Sequence, residues 1–187
     1  IHGNRAVAAA LERAGGATPL SPAEAQLARA ADGEVRAGDW IDMAALPDEA
    51  RRLLCRLVPQ PGSLPHVERL VAMGFDTNAE DEMGLTPLHL AGWEGLLEPF
   101  AFLMRQQPDL GHVNGHGGTL FSTILHGSEN CPARARRDHL GCMRLALEEG
   151  VAIPRKALEI VGEEAMVGFL ADWAERYPGQ LVEEGPA

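Results

Sequence analysis

The feature that most restricts this chain is a self-similarity at one offset. Laying DEMGLTPLHLAGWEG (Asp81 to Gly95) over NGHGGTLFSTILHGS (Asn114 to Ser128) puts Gly84 on Gly117, Thr86 on Thr119, Leu88 on Phe121 and Trp93 on His126, a spacing of 33 residues. A period of that length holds one supersecondary unit, which cannot bury its own apolar face and must stack on neighbours. Each unit reads as a glycine-containing turn, a short helix opened by threonine, a glycine break, a second amphipathic helix and a closing glycine or proline. Neither helix has enough apolar surface to stand alone, so the pair forms a hairpin that must be covered on both sides.

The second helices are expected in VERLVAMGFD (Val67 to Asp76), FAFLMRQQPD (Phe100 to Asp109) and CMRLALEEGV (Cys142 to Val151), each with an apolar stripe before a terminator. Upstream, Ser21 to Gly33 and Leu46 to Leu57 carry a capping Ser or Asp, an early proline and helical spacing, which suits the first helices of degenerate repeats. Asn4 to Ala14 would be the second helix of an incomplete opening repeat. Pro154 to Val161 and Glu163 to Tyr177 read as a closing helix pair, because too few residues separate Gly150 from Pro154 for another turn finger. The tail QLVEEGPA is expected to fray.

The run Thr86-Pro87-Leu88-His89 resembles the Thr-Pro-Leu-His signature of the ankyrin-repeat family, Gly95 corresponds to its mid-repeat glycine, and 33 is its period. The resemblance covers Val67 to Gly150. It implies an all-α fold: a single ankyrin-repeat solenoid of about five helix pairs with short hairpin fingers. Over residues 1–187 the expected domain has degenerate repeats to about residue 63, clear repeats from about 64 to 150 with an insertion at about 129–138, and a capping helix pair at about 154–177.

Composition sets the setting. A chain of 187 residues with 45% hydrophobic and 23% charged residues suits an ordinary globular protein. Its 27 acidic against 16 basic groups, a formal net charge of -11, argue against nucleic acid, which needs a basic face. There is no apolar run of membrane-spanning length and no leader pattern, and three scattered cysteines suit a reducing compartment. The expectation is a cytoplasmic monomer without membrane attachment or cofactor.

Chemically suggestive residues mostly have structural readings. His89 belongs to the Thr-Pro-Leu-His run, where the resemblance implies hydrogen bonding with Thr86. No nucleophile has a base at recognisable spacing, and the glycine-rich GHVNGHGGT (Gly111 to Thr119) lacks the lysine of a phosphate-binding loop and falls where a turn belongs. The acidic runs at Glu80–Glu82, Glu148-Glu149 and Glu163-Glu164 read as solvated surface. Trp93 is a large aromatic at a position the core does not require, which fits either a binding anchor or a stack on His126.

The segment HGSENCPARARRDHLGC (His126 to Cys142) poses the sharpest question. The repeat register turns Cys142 to the core and His139 to a helix start, leaving NCPARARRD as inserted chain with Arg134, Arg136 and Arg137 as a basic cluster. Those arginines suit an acidic ligand or the chain's own glutamates. The family resemblance implies a non-enzymatic interaction module that binds an unidentified protein at Met83, Leu90, Trp93, Glu94, Asn114 and His116. One alternative is a metal or enzymatic site built from His126, Cys131, His139 and Cys142, whose spacings are permissive for zinc. Another is self-association through the degenerate repeats.

Overall fold

The computed structural model describes residues 6–15, 19–34 and 46–183. The start of the first expected helix (residues 4 and 5) and the end of the tail (residues 184–187) lie outside the described residues. The fold is mostly helical, with 59% helix and 2% strand. In chain order the helices are α1 (Ala6–Gly15), α2 (Pro22–Ala31), α3 (Asp48–Arg51), α4 (Leu53–Leu57), α5 (Leu64–Ala72), α6 (Pro87–Glu94), α7 (Leu97–Met104), α8 (Leu120–Asn130), α9 (His139–Glu148), α10 (Ala157–Ile160) and α11 (Glu164–Arg176). Two short strands, β1 (Ile153–Pro154) and β2 (Leu181–Val182), pair in parallel.

Local chemistry sets the helix starts. Ser21 and Glu24 form a reciprocal capping box at α2, Thr86 accepts the His89 N–H at α6, Thr119 accepts the Ser122 N–H at α8, and Asp138 accepts the Gly141 N–H at α9. Each satisfies an amide that has no acceptor within its own first turn. The three second helices begin one turn earlier than their apolar stripes, at Leu64, Leu97 and His139. Pro65 and Pro99 sit in those first turns, where a missing N–H costs nothing.

Elsewhere the structure differs from expectation. Leu46 to Leu57 is not one helix capped by Asp48: Pro47 occupies the cap position without a side-chain bond, and the chain turns at Arg52 (φ −85°, ψ 10°) between α3 and α4. That turn lets Leu53, Leu54 and Leu57 all reach the core. The helix expected over Pro154 to Val161 shrinks to α10, because Ile153 and Pro154 are extended. Nor does the described part of the tail fray. β2 pairs with β1, and the Arg155 N–H donates to the Val182 carbonyl at 2.9 Å.

Packing follows two rows. α4 packs on α6 and α6 on α8; α5 packs on α7, α7 on α9 and α9 on α11. Sequential pairs α4–α5, α6–α7, α8–α9 and α10–α11 link the rows, while α1 and α2 pack together at the other end, α2 against α5. One continuous cluster of buried residues runs from Val7 to Leu170, with Phe100 and Phe121 as its largest fully buried members. Each such aromatic contributes about 1.5–3 kcal/mol through burial.

The turns ahead of α6 and α8 repeat each other bond for bond. Asp81 Oδ1 accepts the Met83 and Leu85 N–H groups at 2.8 and 2.9 Å, and the Asp81 N–H donates to the Leu85 carbonyl. One period on, Asn114 Oδ1 accepts from His116 and Gly118 at 2.9 and 3.0 Å, and the Asn114 N–H donates to the Gly118 carbonyl. The Gly115 N–H then donates to the Met83 carbonyl at 2.9 Å, tying one turn to the next.

The spacing of the helices is uneven. From α5 to α7 the helix starts are 33 residues apart, whereas from α7 to α9 they are 42 apart. Gly95, left-handed at φ 61°, ends α6, but Ser128 stands in its place one period on, so α8 continues to Asn130. A single 3₁₀ turn, Arg134–Arg136, follows before the Asp138 N–H returns to the Gly95 carbonyl at 3.0 Å. Among the described residues no helix is long and apolar enough to cross a membrane.

Candidate interaction surface

The braced turns spend their backbone groups on each other, which leaves certain side chains undetermined by folding. Met83 is 50% exposed at one tip, and His116 is exposed at the next. On the following helices Trp93 is half-buried and His126 exposed; their rings meet edge-on, with centroids 5.1 Å apart and an interplanar angle of 89°. His126 was legible through the repeat offset from Trp93. Leu90, half-buried, packs against the core cluster.

Two more of the six residues expected to face a partner are used internally. Asn114 is 9% exposed, and beyond its two backbone bonds its amide donates to Thr123 Oγ1 at 3.4 Å. A turn that must hold the His116 and Gly118 N–H groups in place needs a short acceptor side chain pointing inward. Glu94 accepts the Cys131 thiol at 3.6 Å and lies 3.7 Å from Arg137 Nη2, so it anchors the insertion. Of the basic cluster, Arg137 is thus paired within the chain, while Arg134 and Arg136 are exposed. At the acidic tip Glu82 lies 3.6 and 3.5 Å from Arg52 and Arg56, which draws that finger toward α3 and α4.

His89 and the three thiols sit in environments that keep them uncharged. His89 is 1% exposed, with Nδ1 2.8 Å from Thr86 Oγ1 and its ring edge-on to His112 at 5.3 Å. Burial first, and the charge of His112 second, push its pKa down to about 4. The neutral ring then accepts at Nδ1 from the Thr86 hydroxyl, which itself accepts the His89 N–H. His112 Nε2 donates to the Gly84 carbonyl at 2.8 Å. Burial pushes the thiols of Cys55 and Cys142 up to about 12 and raises that of Cys131, so all three stay protonated.

The four residues of the metal alternative do not converge. His126 faces Trp93, Cys131 lies on Glu94, His139 Nε2 donates to the Trp93 carbonyl at 2.9 Å, and Cys142 is fully buried in the core. Among the described residues no three His, Cys, Asp or Glu side chains are placed to hold a metal ion.

Sequence reasoning missed one buried polar pair. His66 Nδ1 lies 3.3 Å from Asp32 Oδ1 and 3.1 Å from the Ala31 carbonyl, tying the end of α2 to α5. Burial is the main cause of the raised Asp32 pKa. Asp32-Gly33 reads in sequence as a plain helix terminator, so no local signal gives this contact away.

The chain matches no protein-family model, and no curated protein is significantly similar to it.

Proposed function

We propose that this is an ankyrin-repeat protein whose helix pairs stack as a solenoid, and that it acts without catalysis as a protein-interaction module. Its partner lies across the turn tips and the first helices of the central repeats, contacting Met83, His116, Trp93 and His126. Three features support the stacking: the 33-residue equivalence of the two braced turns, the Gly115-to-Met83 bond between them, and the two rows of helices.

The observation that carries the functional reading is Met83. A large apolar side chain stands half exposed on a tip whose backbone is held by Asp81 and by the neighbouring turn. Folding gives no reason for an apolar residue there. A rigid tip also loses little freedom when it is bound, which favours affinity. Internal hydrogen bonding of His89, His112 and His139 and burial of the thiols fit a protein that recognises rather than reacts.

The test compares partner capture by the wild type with capture by Met83→Asp and Trp93→Ala, each checked for folding by circular dichroism and thermal melting. A hot-spot role for Trp93 predicts a loss of about 2 kcal/mol in binding with an unchanged melt. If Trp93→Ala binds normally and melts early, its ring serves the stack on His126 instead. Unaltered binding by both variants would remove this face as the interaction surface.

A further inference from the structure

A second surface lies at the far end of the chain. A cleft of about 500 Å³ opens between the end of α9 and α11, lined among others by Leu147, Glu148, Trp173, Tyr177 and Gln180. Its charged lining group is the Glu148 carboxylate, which makes no ion pair among the described residues. Three rings follow one another at four-residue spacing, Phe169 and Trp173 on α11 and Tyr177 just past its end: Phe169 lies 5.7 Å from Trp173, and Trp173 lies 4.8 Å from Tyr177. Phe169 and Trp173, four apart, share one helix face, and the Tyr177 ring continues the row beside the end of α9.

The chain shows what the first ring of that row takes. Arg144 of α9 places its guanidinium 5.6 Å from the centroid of Phe169. One turn further along α9 the next residue on the same face is Glu148, opposite Trp173 and Tyr177. Two aromatic rings beside a carboxylate that makes no ion pair among the described residues, in a cleft lined by no Arg or Lys among them, are complementary to a cation from elsewhere. The wall is also fixed in place. The Trp173 indole N–H donates to Gln180 Oε1 at 2.7 Å, and the Gln180 amide donates to the Leu147 carbonyl at 2.8 Å. Tyr177, 50% exposed, forms the lip.

We propose that this cleft binds an arginine side chain presented by a peptide segment of a partner protein. A guanidinium is flat enough to lie on Trp173 and Tyr177 while donating to Glu148, which a compact, strongly hydrated ammonium does less well. The net charge of -11 favours approach of a basic segment. This site is remote in sequence from the turn tips, and its test does not involve them.

The probe is acetyl-Gly-Arg-Gly-amide, titrated into the full chain labelled with nitrogen-15. The expected result is saturable movement of the Trp173 indole N–H and Gln180 side-chain resonances, with a Kd on the order of 1 mM. The same peptide with citrulline for arginine keeps the shape but not the charge, and should bind at least about tenfold more weakly. Glu148→Gln should weaken binding about threefold and Tyr177→Ala about fivefold. Both residues are exposed, so the remaining spectrum should stay unchanged. Absence of saturable movement at Trp173, equal binding of the citrulline peptide, or unchanged affinity in both variants would each overturn the proposal.

Discussion

Gly127→Ala should destabilise the protein although it replaces glycine by alanine inside a helix. In an open helix interior that exchange stabilises by about 1 kcal/mol, since glycine loses more backbone freedom on folding. Gly127, however, lies where α8 crosses the end of α6. A Cβ placed there would stand 2.3 Å from the Trp93 carbonyl oxygen and 2.9 Å from its carbon, both backbone atoms that cannot rotate aside. Relief requires α8 and α6 to separate by about an ångström. Overpacking of this kind costs about 1–3 kcal/mol. Separation also strains the bond from His139 Nε2 to the same carbonyl, worth a further ~1 kcal/mol. The propensity gain offsets only part of this, so the net loss is about 2 kcal/mol.

Gly168→Ala supplies the control, because Gly168 lies inside α11 with nothing within 4 Å of an added Cβ. It should gain about 1 kcal/mol. Urea unfolding of both variants, compared at equal m-value, reads the two signs directly. Stabilisation of similar size in both would mean that α8 does not approach the backbone of α6 as described.

Three further outcomes follow from the geometry. Gln107 follows α7 at φ 55°, whereas α5 and α9 are followed by left-handed glycines, Gly74 (φ 94°) and Gly150 (φ 89°), so Gln107→Gly should stabilise by about 0.5–1 kcal/mol in the same unfolding assay. Asn114→Ala leaves the His116 and Gly118 N–H groups without their acceptor and should cost about 1–3 kcal/mol, whereas a surface asparagine would cost almost nothing. His89 has its pKa depressed from 6.5 to about 4, so its contribution is present above pH 6.5 and is lost as the pH falls toward 4, on the order of 3 kcal/mol in all. A His89→Asn variant should lose that slope in unfolding experiments between pH 4 and 7, and an unchanged slope would point to another group.

What was legible in the sequence is what local chemistry determines. Thr86 and Thr119 announce helix starts because a threonine hydroxyl reaches an amide three residues on, whatever the rest of the chain does. The place of Cys142 in the core followed from the 33-residue register, counted back from Gly150. Asn114 was harder, because a polar residue in a turn looks the same in sequence whether it faces water or braces the loop. Its equivalence to Asp81 was the available sign, since both begin a turn at the same offset. That the arginines have a glutamate of the chain within reach was one of two readings, but which one was not legible: the role of Glu94 depends on Arg137 and Cys131 folding back from the segment between α8 and α9. The strand pair at the end was missed for a similar reason, since two residues of β1 and two of β2 carry too short a pattern to register.

Glu94 lies where several contacts gather. The end of α6 receives α8 through the gap left at Gly127, α9 through His139 on the Trp93 carbonyl, and the insertion through Asp138 on the Gly95 carbonyl and Arg137 on Glu94. The backbone of Trp93 is therefore fixed from several directions, whereas its ring is held by an edge-on contact with the exposed His126. Ordering such a ring in a complex costs little, because the main chain beneath it is already immobile. Arg134 and Arg136 are the opposite case: their side chains are exposed on a single 3₁₀ turn. A partner that gripped them would first have to order two long side chains, at about 0.5–1.5 kcal/mol each. On these grounds the Trp93 side of the junction is the better place to look for affinity, and the arginine turn the better place to look for an effect of ionic strength on association rate.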